Sequence, residues 1–417
     1  MDPHEFMNGA RNLPIRKLKM LLVSSLLLVA ATICGSAYAA VGTWGAAPET
    51  PNEDLSIIGA PFTSRSFNNE TVRQIVRVSA GGLMVQLRLS NEFGSTPLLV
   101  GETRVAVAGL AGVLVPGTDR RVTFLGQTSV VIPAGKAALS DFVVLNVNDR
   151  SQLAVSMWFP QPTSNTVWHP FAQALSFTTL GNTTAAPATL GDLTLHRFVL
   201  SAVNVLPPKL NGAIVAFGDS LTDGNGSTYD LNKRFPDQLA DKFAAANGGA
   251  LNVAVVNSGI GGNRLLRDFL GQAGVNRFKR DALGVPDVKK VIVLEGINDI
   301  GFSYYFPAET VTAADLIASY RKLIAAAHAA GVKIYGGTLT PFADAFYFSP
   351  EREAIRQAVN QWIRTSGAFD AVIDFDAAVR DTANPQKLRL LFDSGDHLHL
   401  NDLGYGAMAD AAYNVVK

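Results

Sequence analysis

An α/β domain with a parallel sheet, preceded by an all-β sandwich, is the fold class this sequence predicts. Three observations carry it. From Val41 to about Leu206 apolar residues recur with period two in short runs broken by Gly and Pro turns. After Pro207-Pro208-Lys209 the pattern switches to buried runs that alternate with helical stretches, which means a parallel sheet covered on both faces. The chain has 417 residues, a length that suggests two or three domains.

The N-terminus reads as a leader. Arg11, Arg16, Lys17 and Lys19 precede an apolar run from Met20 to Ile33, and Ala37-Tyr38-Ala39 offers the small residues that a signal peptidase reads. The run is shorter than the roughly 20 residues of a membrane span, so the expectation is residues 1–39 as a signal peptide, cleavage after Ala39, and a secreted or periplasmic protein. Within it, Met1 to Phe6 reads as a cloning remnant. Cys34, the single cysteine, leaves with the leader, and Ile33 before it argues against a lipoprotein signal. Stability then rests on core burial rather than on disulfides.

Residues 40–206 form the predicted sandwich. Val85-Gln-Leu-Arg-Leu89 alternates apolar and polar, Val72 to Val78 does so less strictly, and Leu153 to Phe159 alternates large and small. Turns at Gly81-Gly82, Asn91 to Gly94, Pro116-Gly117, Pro133 to Gly135 and Pro160 to Pro162 separate the runs, and a jelly-roll-like arrangement fits.

Residues 207–417 form the predicted α/β part. Buried strands are expected at 213–217, 251–257, 290–295, 332–338 and 371–374, with helices around 230–246, 313–330, 350–365 and 402–416. Right-handed crossovers and short loops favour a flavodoxin-like three-layer α/β/α architecture with strand order 2-1-3-4-5. Lys plus Arg equals Asp plus Glu at 35 each, so nothing in the charge favours nucleic acid.

The chemistry gathers at strand ends. Ala213 to Phe217 stops at Gly218-Asp219-Ser220-Leu221, which places the Ser220 hydroxyl at the carboxyl end of a parallel strand, where such sheets hold ligands. A serine hydroxyl needs a base, and imidazole held by a carboxylate is the natural one. Asp396 and His399 are three apart on a turn entering a helix, so the carboxylate reaches the near ring nitrogen and the far one is left for Ser220. His397 and Asp393 are the nearest competitors. Gly262 after the second strand and Asn298 after the third are candidate donors to a developing oxyanion, with Gly259 and Gly261 as alternatives to the former. Asp219 reads as a turn former, and Gly-x-Ser-x-Gly is missing.

Gly218-Asp-Ser-Leu221, Gly262, Gly296-Ile-Asn-Asp299 and Asp396-x-x-His399 resemble, in order, the four blocks of the GDSL or SGNH hydrolase family. The resemblance implies a three-layer esterase domain with Ser220 as nucleophile, His399 as base and Asp396 as its orienter, and with Ser220, Gly262 and Asn298 around the oxyanion. Leu400 to Tyr405 follows His399 as it follows the family's histidine, which favours the pairing of Asp396 with His399. Thr71 to Arg77 and Leu87 to Gly94 are similar to the N-terminal β-domain of secreted members related to acetylxylan esterases.

A secreted serine esterase with an acyl-enzyme intermediate follows as the leading expectation, acting on a small ester or an acetylated polysaccharide, with no cofactor and no metal. Activity should rise through roughly pH 6 to 7 as a base imidazole becomes neutral. Tyr304, in Phe302 to Phe306, and Phe346, in Phe346 to Phe348, lie after sheet strands and either wall the substrate or pack the loops; Arg264 is a further candidate substrate contact. Two other readings remain open. One is a carbohydrate-binding protein with a degenerate hydrolase domain; the other is a metal-dependent deacetylase using His397-x-His399 with Asp393 or Asp396.

Overall fold

The structure is a computed structural model that describes residues 39–417 apart from 55, 57–62, 190 and 208. The expected leader therefore lies outside the described residues except for its last position, and so does Pro208 of the expected boundary. Residues 39–417 form one compact unit.

The first half folds as two antiparallel sheets. One has the order Val41–Gly45, Leu200–Leu206, Gly82–Asn91, Lys136–Leu139, with Val143–Val147 also paired to Gly82–Asn91. The other runs Asp192–Thr194, Ser176–Leu180, Glu70–Arg77, Gln152–Phe159, Thr103–Ala108, Arg120–Val122. Val85, Leu87 and Leu89 of the first and Val72, Val76, Leu153 and Val155 of the second enter one apolar cluster, as period two requires. The weaker alternation of Glu70–Arg77 has a physical cause: its polar residues are buried and bonded. Arg73 Nε donates to Ser156 Oγ at 2.8 Å and Gln74 Nε2 to the Phe198 carbonyl at 2.8 Å.

The second half is the expected parallel sheet. Its spatial order is Ala254–Gly259, Ala213–Gly218, Val288–Leu294, Lys333–Gly337, Ala371–Ile373, which is 2-1-3-4-5 in sequence order. Every residue of Ala213–Gly218 is buried. The longer helices are Phe235–Ala246, Ala313–Ala329, Pro350–Thr365 and Asp402–Val416. Caps fix their starts: Thr312 and Asp315 form a capping box, Ser349 accepts from the Arg352 amide, and Asn401 accepts from Leu403 and Gly404. The first of them begins at Phe235, not near Asp230, because Asp230 (φ 61°) and Asn232 (φ 52°) are left-handed and Pro236 opens the first turn. A four-residue helix, Ser220–Asp223, stands between it and the strand. Among the described residues no helix is long and apolar enough to cross a membrane.

The halves are joined along Val41–Gly45. The Gly42 amide donates to the Pro286 carbonyl at 3.0 Å, and a Cβ on Gly45 would lie 2.9 Å from Val256 Cγ1, so glycine is what lets the strand approach the parallel sheet. Ser79 Oγ accepts from the Val255 amide at 3.0 Å, and Asp149 Oδ2 accepts from the Leu251 amide at 2.7 Å. These bonds tie the sandwich to the second strand of the parallel sheet and to the loop leading into it.

Candidate active site

Ser220 opens the short helix at the carboxyl end of the interior strand Ala213–Gly218. Asp219 caps that helix, its Oδ1 accepting from the Leu221 amide at 3.0 Å. Burial pushes the Asp219 carboxyl up to about 7, against the pull of the Leu221 amide and of His399. Arg277 ties the strand ends together: it donates to the carbonyls of Gly218 and Ser258 at 2.8 Å each, to Asn263 Oδ1 at 2.8 Å and to Glu295 Oε2 at 3.0 Å. Burial raises the Glu295 carboxyl well above its ordinary range although Arg277 opposes it.

The loop before Asp402–Val416 brings the histidine in. His399 Nε2 lies 2.8 Å from Ser220 Oγ, and His399 Nδ1 lies 2.6 Å from Asp396 Oδ2. Asp396 Oδ1 accepts from the amides of Leu398 at 3.0 Å and His399 at 2.8 Å, and from Ser394 Oγ at 3.2 Å. Partial burial would raise the Asp396 carboxyl, but His399 and these amides outweigh it and hold the group well below the usual carboxylate range. Asp393 and His397 form a pair of their own, Oδ2 to Nδ1 at 2.7 Å, apart from Ser220. An imidazole set between a hydroxyl and an ionised carboxylate can draw the proton off the hydroxyl.

Three residues that carry candidate donors line the same cavity. Among the described residues no acceptor bonds the backbone amides of Ser220 and Gly262. Gly262 has φ +75°, and a Cβ there would run into Leu270, so a side chain is excluded on two counts. Asn298 is 3% exposed; its Nδ2 donates to the Asn263 carbonyl at 3.0 Å, and its Oδ1 accepts from the Tyr347 hydroxyl at 3.5 Å. These contacts orient the amide and leave one N–H of Nδ2 unspent. Asp299 holds the loop beyond Gly262 by accepting from Leu265 at 2.6 Å and Leu266 at 2.9 Å, and burial lifts its carboxyl to about 6 despite those bonds.

Ser220, Gly262, Asn298 and His399 open on a cavity of about 320 Å³. Phe346 lines it, along with Phe302, Tyr305 and Tyr347. Tyr304 does not: it is 54% exposed and packs edge-on to Tyr305 and Phe346 outside. Arg264 does not line it either. It is 5% exposed, bonded to Glu309 Oε2 at 2.5 Å and to the Asp268 carbonyl, so it braces a loop instead of facing substrate. Phe171, Asn225, Leu270 and Leu398 also line the cavity and carry no motif that sequence reading could have used. Among the described residues no group of three His, Cys, Asp or Glu could hold a metal ion.

A doubly wound sheet with serine, imidazole and carboxylate in hydrogen-bond contact at its carboxyl edge is the architecture of a hydrolase. Residues 216–407 match the GDSL-like lipase/acylhydrolase family, and the chain carries a domain of that family. It is a carboxylic ester hydrolase by class. Solved structures similar to it include a lipolytic protein of the G-D-S-L family from Desulfitobacterium hafniense, with 18% identity, TM-score 0.38, and coverage of 49% of this chain and 99% of that one. An acetyl xylan esterase matches with 20% identity, TM-score 0.39, and coverage of 49% and 100%. A variant of an acetyl xylan esterase from Geobacillus stearothermophilus matches with 21% identity, TM-score 0.39, and coverage of 49% and 94%. No curated protein matches the sequence.

Proposed function

We propose that the chain is an exported serine esterase that removes short acyl groups, acetate foremost, through an acyl-enzyme. The observation that carries the reading is the unbroken chain from Ser220 Oγ to His399 Nε2 at 2.8 Å and from His399 Nδ1 to Asp396 Oδ2 at 2.6 Å. In the first half-reaction Ser220 Oγ attacks the ester carbonyl carbon while His399 Nε2 takes its proton. The oxygen of the tetrahedral intermediate is met by the amides of Ser220 and Gly262 and by Asn298 Nδ2. Collapse breaks the bond to the alcohol oxygen, which leaves with the proton from His399. Water then gives a proton to His399 as it attacks the acyl carbon, and collapse breaks the bond to Ser220 Oγ, which takes that proton from His399 as the carboxylic acid is released. Asp396 keeps the Nδ1 proton in place and stabilises the imidazolium.

A cavity of about 320 Å³ stands at the small end for ligand sites, which favours a short acyl group. An acetylated polysaccharide is the proposed natural substrate, resting on the sequence resemblance described above, and export rests on the composition of the leader. Nitrophenyl esters of rising chain length, run beside acetylated xylan and a long-chain triglyceride, test the substrate. The reading predicts a rate maximum at acetate or the next longer homologues, propionate and butyrate, and complete loss of turnover in Ser220→Ala; a maximum on the triglyceride would contradict the acyl assignment.

A further inference from the structure

Phe171 comes from the β-rich half, yet it lines the cavity with Ser220 and His399. A Cβ on Gly261 would lie 3.0 Å from Phe171 Cδ2, so the ring rests directly on the glycine beside Gly262. Its backbone is left-handed at φ 58°, and so is that of Gln173 at φ 53°, a conformation rare for side chains of this size and persistent only where the surroundings fix it.

The surroundings do fix it, and from the catalytic half. His169 Nε2 lies 3.2 Å from Asp223 Oδ1 on the helix that Ser220 opens. Gln173 Nε2 donates to the Phe171 carbonyl at 2.9 Å and to Asn225 Oδ1 at 3.3 Å. Asp230 donates its amide to the Gln173 carbonyl at 3.0 Å and accepts from the Leu175 amide at 2.8 Å. Segment 169–175 is thus clamped to the turn that follows the nucleophile.

The same turn identifies which side of the ester the ring meets. The Tyr405 hydroxyl donates to the Asn225 carbonyl at 2.6 Å, and Asp402 Oδ1 accepts from the Thr228 amide at 2.8 Å, so residues 225–228 bridge Phe171 to the helix that follows His399. The leaving alcohol must stand by His399, because that imidazole returns its proton. Phe302, Tyr305 and Tyr347 form a separate ring cluster, joined by ring contacts at 6.0 and 6.3 Å, and the Tyr347 hydroxyl ties that cluster to Asn298. That leaves the acyl group to them.

We propose that the β-rich half completes the esterase site, with Phe171 a specificity-determining residue that packs against the alcohol portion of the ester and favours alcohols bearing a ring. The proposal rests on the esterase reading. A ring stacked on a ring-shaped leaving group contributes to acylation and to nothing after the alcohol has gone, so it should appear in kcat/KM and depend on the alcohol alone.

The test holds acetate constant and varies the alcohol, 4-nitrophenyl acetate against ethyl acetate, then holds 4-nitrophenol constant and varies the acyl group, acetate against butyrate. Phe171→Ala and Phe171→Leu should lower the first kcat/KM ratio by about tenfold and leave the second ratio as in the wild type, while Phe171→Trp keeps both. Circular dichroism melts identify any variant that does not fold, and the others carry the comparison. An unchanged alcohol ratio in folded Ala or Leu variants overturns the proposal, as does a shift in the acyl ratio. If the wild type cleaves none of these esters, the esterase reading itself fails and the proposal falls with it, an outcome distinct from the other two.

Discussion

Asparagine at position 396 should damage the enzyme more than alanine does, and the reason lies in the hydrogen bonds around the carboxylate. Asp396 Oδ1 accepts from the amides of Leu398 and His399 at 3.0 and 2.8 Å and from Ser394 Oγ at 3.2 Å. An asparagine must set its carbonyl oxygen there, because its NH2 group has nothing to offer donors. Its Nδ2 then takes the place of Oδ2, 2.6 Å from His399 Nδ1. Two donors cannot face each other, so the imidazole proton moves to Nε2, and the nitrogen beside Ser220 no longer accepts. A locked wrong tautomer costs on the order of 10⁴-fold in kcat. Alanine removes the charge but imposes no tautomer. The Asp396 side chain is 52% exposed, so water can reach Nδ1 in its place, and the expected loss is about 10²-fold. Steady-state hydrolysis of 4-nitrophenyl acetate by the two variants checks this. A loss in Asp396→Ala equal to or greater than that in Asp396→Asn would refute the reasoning.

Three further outcomes follow from the same geometry. Arg277→Met removes a fully buried cation bonded to Gly218, Ser258, Asn263 and Glu295, and should destabilise the fold by about 3–5 kcal/mol, read as a lower denaturant midpoint; an unchanged midpoint would show that the strand ends do not depend on it. Gly262→Ala places a methyl group against Leu270 at φ +75° and should lower kcat by about 10²-fold or more with KM little changed, whereas near-wild-type kcat would remove that amide from the oxyanion site. Asp219→Asn keeps the acceptor for Leu221 but does not titrate. Because burial raises the native carboxyl to about 7, above its unfolded value, its favourable contribution is complete at low pH and lost as pH rises through about 7. The melting temperature of Asp219→Asn relative to wild type should therefore climb between pH 5 and pH 8, and a difference constant with pH would contradict the shift.

Local patterns made much of this molecule legible in its sequence, and partners distant in the chain account for the rest. Ala213–Gly218 is buried throughout and announces an interior strand; period two in Gly82–Asn91 announces a sheet with one face inward. Asp396 and His399 are three residues apart, so their pairing is a short-range matter. In sequence Arg264 is open to a substrate role, because a cation beside a glycine motif reads alike whether it meets solvent or Glu309, 45 residues on. Helix 235–246 starts later than its composition suggests because Asp230 is held left-handed by the Leu175 amide, a bond to the other half of the protein. Phe171 left no trace in periodicity or spacing. Its place in the cavity depends on His169 and Gln173 meeting Asp223 and Asn225, contacts that exist only once both halves have folded together.

Covalent capture tests the central claim most directly. Incubation of the folded protein with diethyl 4-nitrophenyl phosphate, followed by peptide mass mapping, should give one diethylphosphoryl group per chain, located on Ser220, with labelling strongly slowed in His399→Ala. A protein that hydrolyses esters yet takes up no label, or takes it up at another residue, would contradict the account.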